Sequence, residues 1–286
     1  MITALQSWLF PPALTFLSGF TTSSYVNLSQ ITTAALADDA LGVFKISSGT
    51  THPVVTGPNS NESAWEAFYP EGSYNPNGPI RGGFGFYMTG PPSFAEQLST
   101  ANEVLTSYSV MFEPDWEWMK GGKLPGQFGG VGDLAYRCSG GRQNDRTQCF
   151  DLRLMWRANG AGEVYAYLPL SENNAQVLAT VPPMSVENPD YGFSIGRGAW
   201  TFRPGAWNVV AERIKLNDPG KNNGILQIWV NGTTVIHVQG LELRNSSQSV
   251  FQGMHFQTFF GGSTSAYASP QDQKAWFSDI SGAILG

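Results

Sequence analysis

Short runs in which apolar and polar residues alternate recur along most of the chain, each bounded by glycine, proline or asparagine, and a period of two marks half-buried strands. Residues 82–90 (GGFGFYMTG), 103–113 (EVLTSYSVMFE), 150–157 (FDLRLMWR), 163–170 (EVYAYLPL), 191–202 (YGFSIGRGAWTF), 207–217 (WNVVAERIKLN), 224–240 (GILQIWVNGTTVIHVQG), 250–262 (VFQGMHFQTFFGG) and 275–285 (AWFSDISGAIL) all read this way. GVFKISS, residues 42–48, adds an earlier strand, and Asn-Gly pairs at 159–160 and 231–232 supply turn signals. Many short strands with such punctuation predict an all-β fold, a β-jelly roll or sandwich of two antiparallel sheets with a concave cleft. Residues 1–40 read as an N-terminal extension with one short helix over 28–36, and residues 41–286 as a single domain. Residues 1–20 are apolar in places but carry no basic residue before Lys45 and are interrupted by Pro11 and Pro12, so they fit a poor signal peptide as well as an ordered start.

Strand alternation also sorts side chains by face. In 150–157 it groups Asp151, Arg153, Met155 and Arg157 on one side, and Leu152, Leu154 and Trp156 on the core side. In 163–168 it groups Glu163, Tyr165 and Tyr167 opposite Val164, Ala166 and Leu168. If the two runs form a hairpin, residues facing each other must share a face, so the connection needs an odd number of residues. Three would set Arg153 against Tyr167, five against Tyr165. Either way one polar face displays two tyrosines beside an arginine. Extended, 250–262 puts Gln257, Phe259 and Gly261 on one face, with Phe260 and Tyr267 as aromatics able to stack on sugars. His237 and His255 read mainly as core histidines, and His52 as incidental.

Composition agrees with a sandwich and narrows the chemistry. The 286 residues suffice for one large core, and no apolar run reaches the length of a membrane span. The net charge of −6 excludes a general nucleic-acid or membrane-surface binder. Between Lys120 and Arg157, however, seven basic residues (Lys120, Lys123, Arg137, Arg142, Arg146, Arg153, Arg157) face three acids (Asp133, Asp145, Asp151), a local balance of +4, which leaves −10 for the remainder. One cationic segment on an anionic protein points to an anion site. Cys138 and Cys149, the only cysteines, close a polar loop and predict a structural disulfide. Sequons at Asn27, Asn61, Asn231 and Asn245 agree with a secreted protein. No cofactor is expected; Asn217 and Asp218 are the weak candidates for touching a structural calcium ion, and a monomer is expected.

The stretch 116–130, WEWMKGGKLPGQFGG, reads as the end of a strand running into a glycine-rich loop at a cleft, with Lys123 as the principal cation, Lys120 a weaker one and Gln127 a candidate for a sugar hydroxyl. Its KGGKLPG followed by GG resembles the signature of polysaccharide lyase family fourteen, the alginate and glucuronan lyases, and the fungal glucuronan lyases are related. The resemblance continues through DLRLMWR, EVYAYLP, ERIKLN, IWVNG and the run from Phe256 onward. It implies a β-jelly roll that cleaves a uronic-acid polymer by β-elimination. It further implies a catalytic lysine at Lys123, an arginine at Arg153 and a tyrosine pair at Tyr165 and Tyr167, with Asp151 where the family carries serine. Such a lyase removes the proton at C5 beside a carboxylate, so a cation must offset the carboxylate charge. Tyrosine would serve as base and acid, with Lys123 and Arg153 favouring tyrosinate. Lys120, Gln127, Asp151, Gln257 and Tyr267 are the candidate substrate-binding residues. Two rival functions remain open. One is a β-glucan hydrolase using Glu113, Asp115 and Glu117, whose outer carboxylates stand about 13 Å apart on a regular strand while retaining hydrolysis needs roughly 5 Å. The other is a sugar-binding module without chemistry.

Overall fold

A computed structural model describes residues 4–140, 142 and 144–286. In chain order the strands are β1 (Ser18–Thr21), β2 (Ile31–Thr33), β3 (Val43–Phe44), β4 (Val54–Thr56), β5 (Ser63–Tyr69), β6 (Phe84–Met88), β7 (Glu103–Phe112), β8 (Gly122–Gly130) and β9 (Cys149–Trp156). There follow β10 (Ala161–Tyr167), β11 (Val186–Asn188), β12 (Gly192–Thr201), β13 (Trp207–Lys215), β14 (Gly224–Val230), β15 (Thr233–Leu241), β16 (Val250–Phe260) and β17 (Gln273–Ile284). Among the described residues there are three short α-helices: α1 (Ala4–Leu9) precedes β1, α2 (Pro92–Leu98) lies between β6 and β7, and α3 (Glu172–Ala179) between β10 and β11.

The strands form two sheets. One runs β15-β14-β13-β7-β17-β1-β2, with β5 also on β17 and β4 on β5; the other runs β11-β12-β10-β9-β8-β16-β6-β3. Every pairing is antiparallel except β1 with β2, so the expected sandwich is the fold. The apolar side of each alternating run faces the other sheet: Leu152, Leu154, Trp156, Val164, Ala166 and Leu168 from the eight-stranded sheet share one core with Tyr108, Val110, Val210 and Ile214 from the nine-stranded one.

The N-terminal segment is woven into this body. Its residues 28–36 are not helical: β2 lies there, paired with β1, which itself pairs with the end of β17. Three consecutive β-branched residues, Ile31-Thr32-Thr33, favour the extended state. α1 lays Leu9 and Phe10 on the outer face of the nine-stranded sheet against Leu105, Val209, Ala211 and Trp229.

The glycine-rich stretch is also more regular than its composition suggests, because residues 122–130 form β8 in the middle of a sheet. The glycines there are required by close approach. A Cβ on Gly122 would sit 1.9 Å from the Trp156 ring, and one on Gly126 would sit 1.9 Å from the Leu152 carbonyl.

Candidate active site

The outer face of the eight-stranded sheet carries the polar side chains that alternation assigned to it. β9 and β10 pair with Arg153 opposite Tyr165 and Asp151 opposite Tyr167, so the five-residue connection is the one adopted, with Asn159 in a left-handed conformation (φ 60°). β8 lies on the other side of β9, with Lys123 opposite Met155 and Gly126 opposite Arg153. Two residues, Leu124 and Pro125, thus oppose Leu154 alone: a β-bulge.

The bulge decides which side chains enter the site. With unbroken pairing Lys123 and Gln127 would share a face. With the bulge, Lys123 faces the tyrosines while Gln127 turns into the sandwich, where it is completely buried. Its side-chain amide donates to the Glu212 carbonyl oxygen at 2.7 Å, and its backbone N–H donates to the Glu212 carboxyl at 2.8 Å. Gln127 is therefore not a substrate-binding residue. From the same side Tyr108 donates its hydroxyl to the Pro125 carbonyl at 3.1 Å. Burial raises the Glu212 pKa well above the ordinary carboxyl range, the Gln127 N–H opposing it in part.

On the outer face, Lys123, Arg153, Tyr165 and Tyr167 converge. Lys123 Nζ lies 3.6 Å from the centre of the Tyr165 ring and 5.6 Å from that of Tyr167, and it donates to the Met155 sulfur at 3.0 Å. The two tyrosine rings are 5.4 Å apart. Arg153 donates to Gln257 Oε1 at 2.8 Å and has its Nε 3.5 Å from Asp151. Asp151 accepts from or shares a proton with His255 Nδ1 at 2.8 Å, and Tyr87 stacks on His255 at 4.3 Å. The departure from serine at position 151 thus comes with two cationic or protonatable partners, and the carboxylate is paired.

Electrostatics divides the titratable groups into two kinds. Burial, then the charges of Arg153 and Arg157, push the Lys123 amine well below the usual lysine range. Burial raises both phenols: for Tyr165 it outweighs Arg157, and for Tyr167 it outweighs Arg153 and Arg146. The cationic neighbours therefore do not hold a tyrosinate, because the desolvation of a buried phenolate exceeds their attraction. Burial followed by Arg153 also lowers His255, leaving it neutral over a wider range.

Several contributors went unassigned in the sequence. Glu163 is fully buried beside Tyr165; burial would raise its pKa, but Arg157, Ser194 and Arg197 hold it below the ordinary range. Arg146 sits with its guanidinium 5.2 Å from the Tyr167 ring, on the loop closed by the Cys138–Cys149 disulfide, which the structure contains and against which Tyr167 packs. His255 shares strand parity with Gln257, a signal the sequence offered; Arg146 lies in a 3₁₀ turn, where alternation says nothing.

The remaining candidates lie apart from this convergence. Lys120 Nζ is 5.6 Å over the Tyr267 ring, at the rim where β8 begins and β16 ends. Glu113, Asp115 and Glu117 follow β7, a strand of the other sheet, and lie on a turn where Asp115 and Glu117 are exposed. Asn217 spends its side-chain amide on the backbone of residues 218, 221, 243 and 244, and among the described residues no group of three or more His, Cys, Asp or Glu could hold a metal. His237 faces Gln239 on β15, and no described helix is long and apolar enough to cross a membrane.

Comparison with known proteins establishes the family and the fold. Among solved structures the chain resembles a marine PL-14 alginate lyase from Aplysia kurodai, with 31% identity, a TM-score of 0.76 and coverage of 94% of this chain and 99% of the other. It shares its fold with the alginate lyase vAL-1 from Chlorella virus (20% identity, TM-score 0.68, 86% and 93% covered). It also shares it with the endo-β-1,4-glucuronan lyase of the fungus Trichoderma reesei (14% identity, TM-score 0.51, 85% and 90% covered). Among curated protein sequences nothing matches. The profile of the family described as polysaccharide lyase 14 matches residues 57–280, and the chain therefore belongs to that family and is a polysaccharide lyase.

Proposed function

We propose that the protein cleaves a uronic-acid polymer of the alginate or glucuronan kind by β-elimination at the outer face of the eight-stranded sheet. The observation that carries this reading is the convergence of Lys123, Arg153 and the Tyr165–Tyr167 pair on one face, with the lysine and the phenols displaced in opposite directions. Two groups whose surroundings push their proton affinities apart divide the roles of base and acid between them. The neutral amine of Lys123 takes the C5 proton, the C–H electrons form the C4=C5 double bond, and the C4–O4 bond breaks. Tyr165 or Tyr167, still a phenol, gives its proton to the departing O4. Arg153, steadied by Gln257, lies against the substrate carboxylate and stabilises the charge that builds up at C5.

The relatives support the substrate class: those from Aplysia kurodai and Chlorella virus are alginate lyases, and that from Trichoderma reesei acts on glucuronan. The disulfide and the exposed sequons at Asn27, Asn61 and Asn245 support action outside the cell. Mixing the enzyme with pure mannuronan, guluronan and glucuronan tests the reading. The expected product is a 4,5-unsaturated uronate, seen as new ultraviolet absorbance from the conjugated alkene. New reducing ends without that absorbance would mean hydrolysis, and binding without either would mean a sugar-binding module.

A further inference from the structure

We infer that the β3 edge of the cleft sheet carries a separate subsite for a uronate residue, built from Lys45, Phe44 and Tyr136, several sugars away from the point of cleavage. The inference rests on the polyuronate reading above and adds to it where a longer chain is gripped.

Register supplies the placement. A single row crosses the sheet: Ser194 on β12, Tyr165 on β10, Arg153 on β9, Gly126 on β8, His255 on β16, Tyr87 on β6 and Phe44 on β3, each directly paired with the next. Paired residues share a face, so the row lies along the surface that bears Lys123 and the tyrosines. Four strand spacings separate Arg153 from Phe44, about 19 Å at ~4.8 Å each, which a few sugar units span. A polymer lying across the strands from Arg153 toward β3 passes Tyr87 and arrives at Phe44.

The end of the row has the chemistry for an acidic sugar. Lys45, directly after Phe44, is exposed and adopts φ 50°, a left-handed conformation that a residue with a side chain rarely takes. Its Nζ lies 4.5 Å over the half-buried Tyr136 ring, and it forms no ion pair among the described residues. Tyr136 also packs against Phe44, Tyr87 and Phe128, at 6.2, 5.0 and 5.7 Å between ring centres. Aromatic faces take the C–H side of a sugar ring, and a lysine without a counter-ion takes its carboxylate. The one acid acting on Tyr136 is Asp133, which is exposed and raises the phenol only after burial has done so; it faces water and leaves Lys45 unpaired.

The test is a length series. Defined oligouronates from trisaccharide to octasaccharide are titrated calorimetrically into the Lys123→Ala enzyme, with and without Lys45→Ala or Tyr136→Ala, and kcat/KM is measured for the same oligomers with Lys123 intact. The expected result is that Lys45→Ala weakens binding of the longest oligomers about fivefold, lowers kcat/KM for them through KM by the same factor, and leaves the trisaccharide unchanged. Equal effects at every length, or none at any, overturn the subsite even if the wild type is an active lyase. Length-dependent binding that Lys45→Ala abolishes, in an enzyme that produces no alkene, supports the subsite and overturns the elimination reading instead.

Discussion

The two outer faces of the sandwich start from the same alternation and end in opposite conditions. On the nine-stranded sheet Leu105, Val209, Ala211, Trp229 and Ala283 form an apolar patch on the outward face, and the N-terminal segment covers it with Leu9 and Phe10. On the eight-stranded sheet the outward positions include Lys123, Asp151, Arg153, Glu163, Tyr165, Tyr167, His255 and Gln257, with the disulfide-closed loop packed against Tyr167 at one side. Most of these polar groups are nevertheless nearly buried, packed against one another and against the disulfide-closed loop. A face closed by apolar contact contributes stability. A face whose charges are desolvated by their own neighbours has displaced proton affinities and is ready for chemistry.

Substitutions should separate the two conditions cleanly. On the charged face, Lys123→Ala and Tyr165→Phe are each expected to lower kcat/KM about a thousandfold, roughly 4 kcal/mol of transition-state stabilisation, with little change in melting temperature. Retention of full activity by both would remove Lys123 and Tyr165 from the mechanism. On the covered face, Leu9→Ala should cost about 3 kcal/mol in denaturant unfolding and leave kcat per folded molecule as it was; a fall in kcat instead would mean that the N-terminal segment reaches the site.

Beneath the cleft the expected effects are smaller. Glu212→Leu leaves the Gln127 N–H without its acceptor and should cost about 2 kcal/mol, measured by chemical denaturation. Glu212 stays protonated in the folded protein above the pH at which it ionises when unfolded. Native protein therefore binds more protons in that window, and this carboxyl's contribution is present below the ordinary glutamate pKa and falls away as pH rises toward the elevated folded value. Melting temperatures across that range should decline less in Glu212→Gln than in the wild type. Smallest of all, Gln257→Ala should raise KM or lower kcat about fivefold by releasing Arg153, whereas Gln127→Ala should disturb stability alone and leave KM for the polymer unchanged. Equal kinetic effects from the two glutamines would contradict the face assignment.

Much of this was legible because strand parity is a local rule. Where β9 and β10 pair without interruption, alternation correctly set Arg153 and the two tyrosines on one face, and the odd-length connection followed from requiring that they meet. Gln127 was misplaced because the stretch read as a glycine-rich loop is strand β8, and the Leu124-Pro125 bulge turns Gln127 to the face opposite Lys123. Residues 28–36 misled for a related reason: a three-residue strand is too short to display a period, and only pairing with β1 defines it. The sign of the tyrosine shifts was out of reach as well, since desolvation depends on what tertiary structure stacks around a ring.

Pro125 gives the bulge a further significance. β8 has a hydrogen-bonding neighbour on each side, so a straightened ladder would require a donor from that position whichever way its amide pointed, and proline has none. The straightened ladder is the one that would set Lys123 opposite Trp156 and send its amine into the sandwich interior. A missing hydrogen atom thus acts as a veto on the wrong orientation and keeps the reactive nitrogen aimed outward.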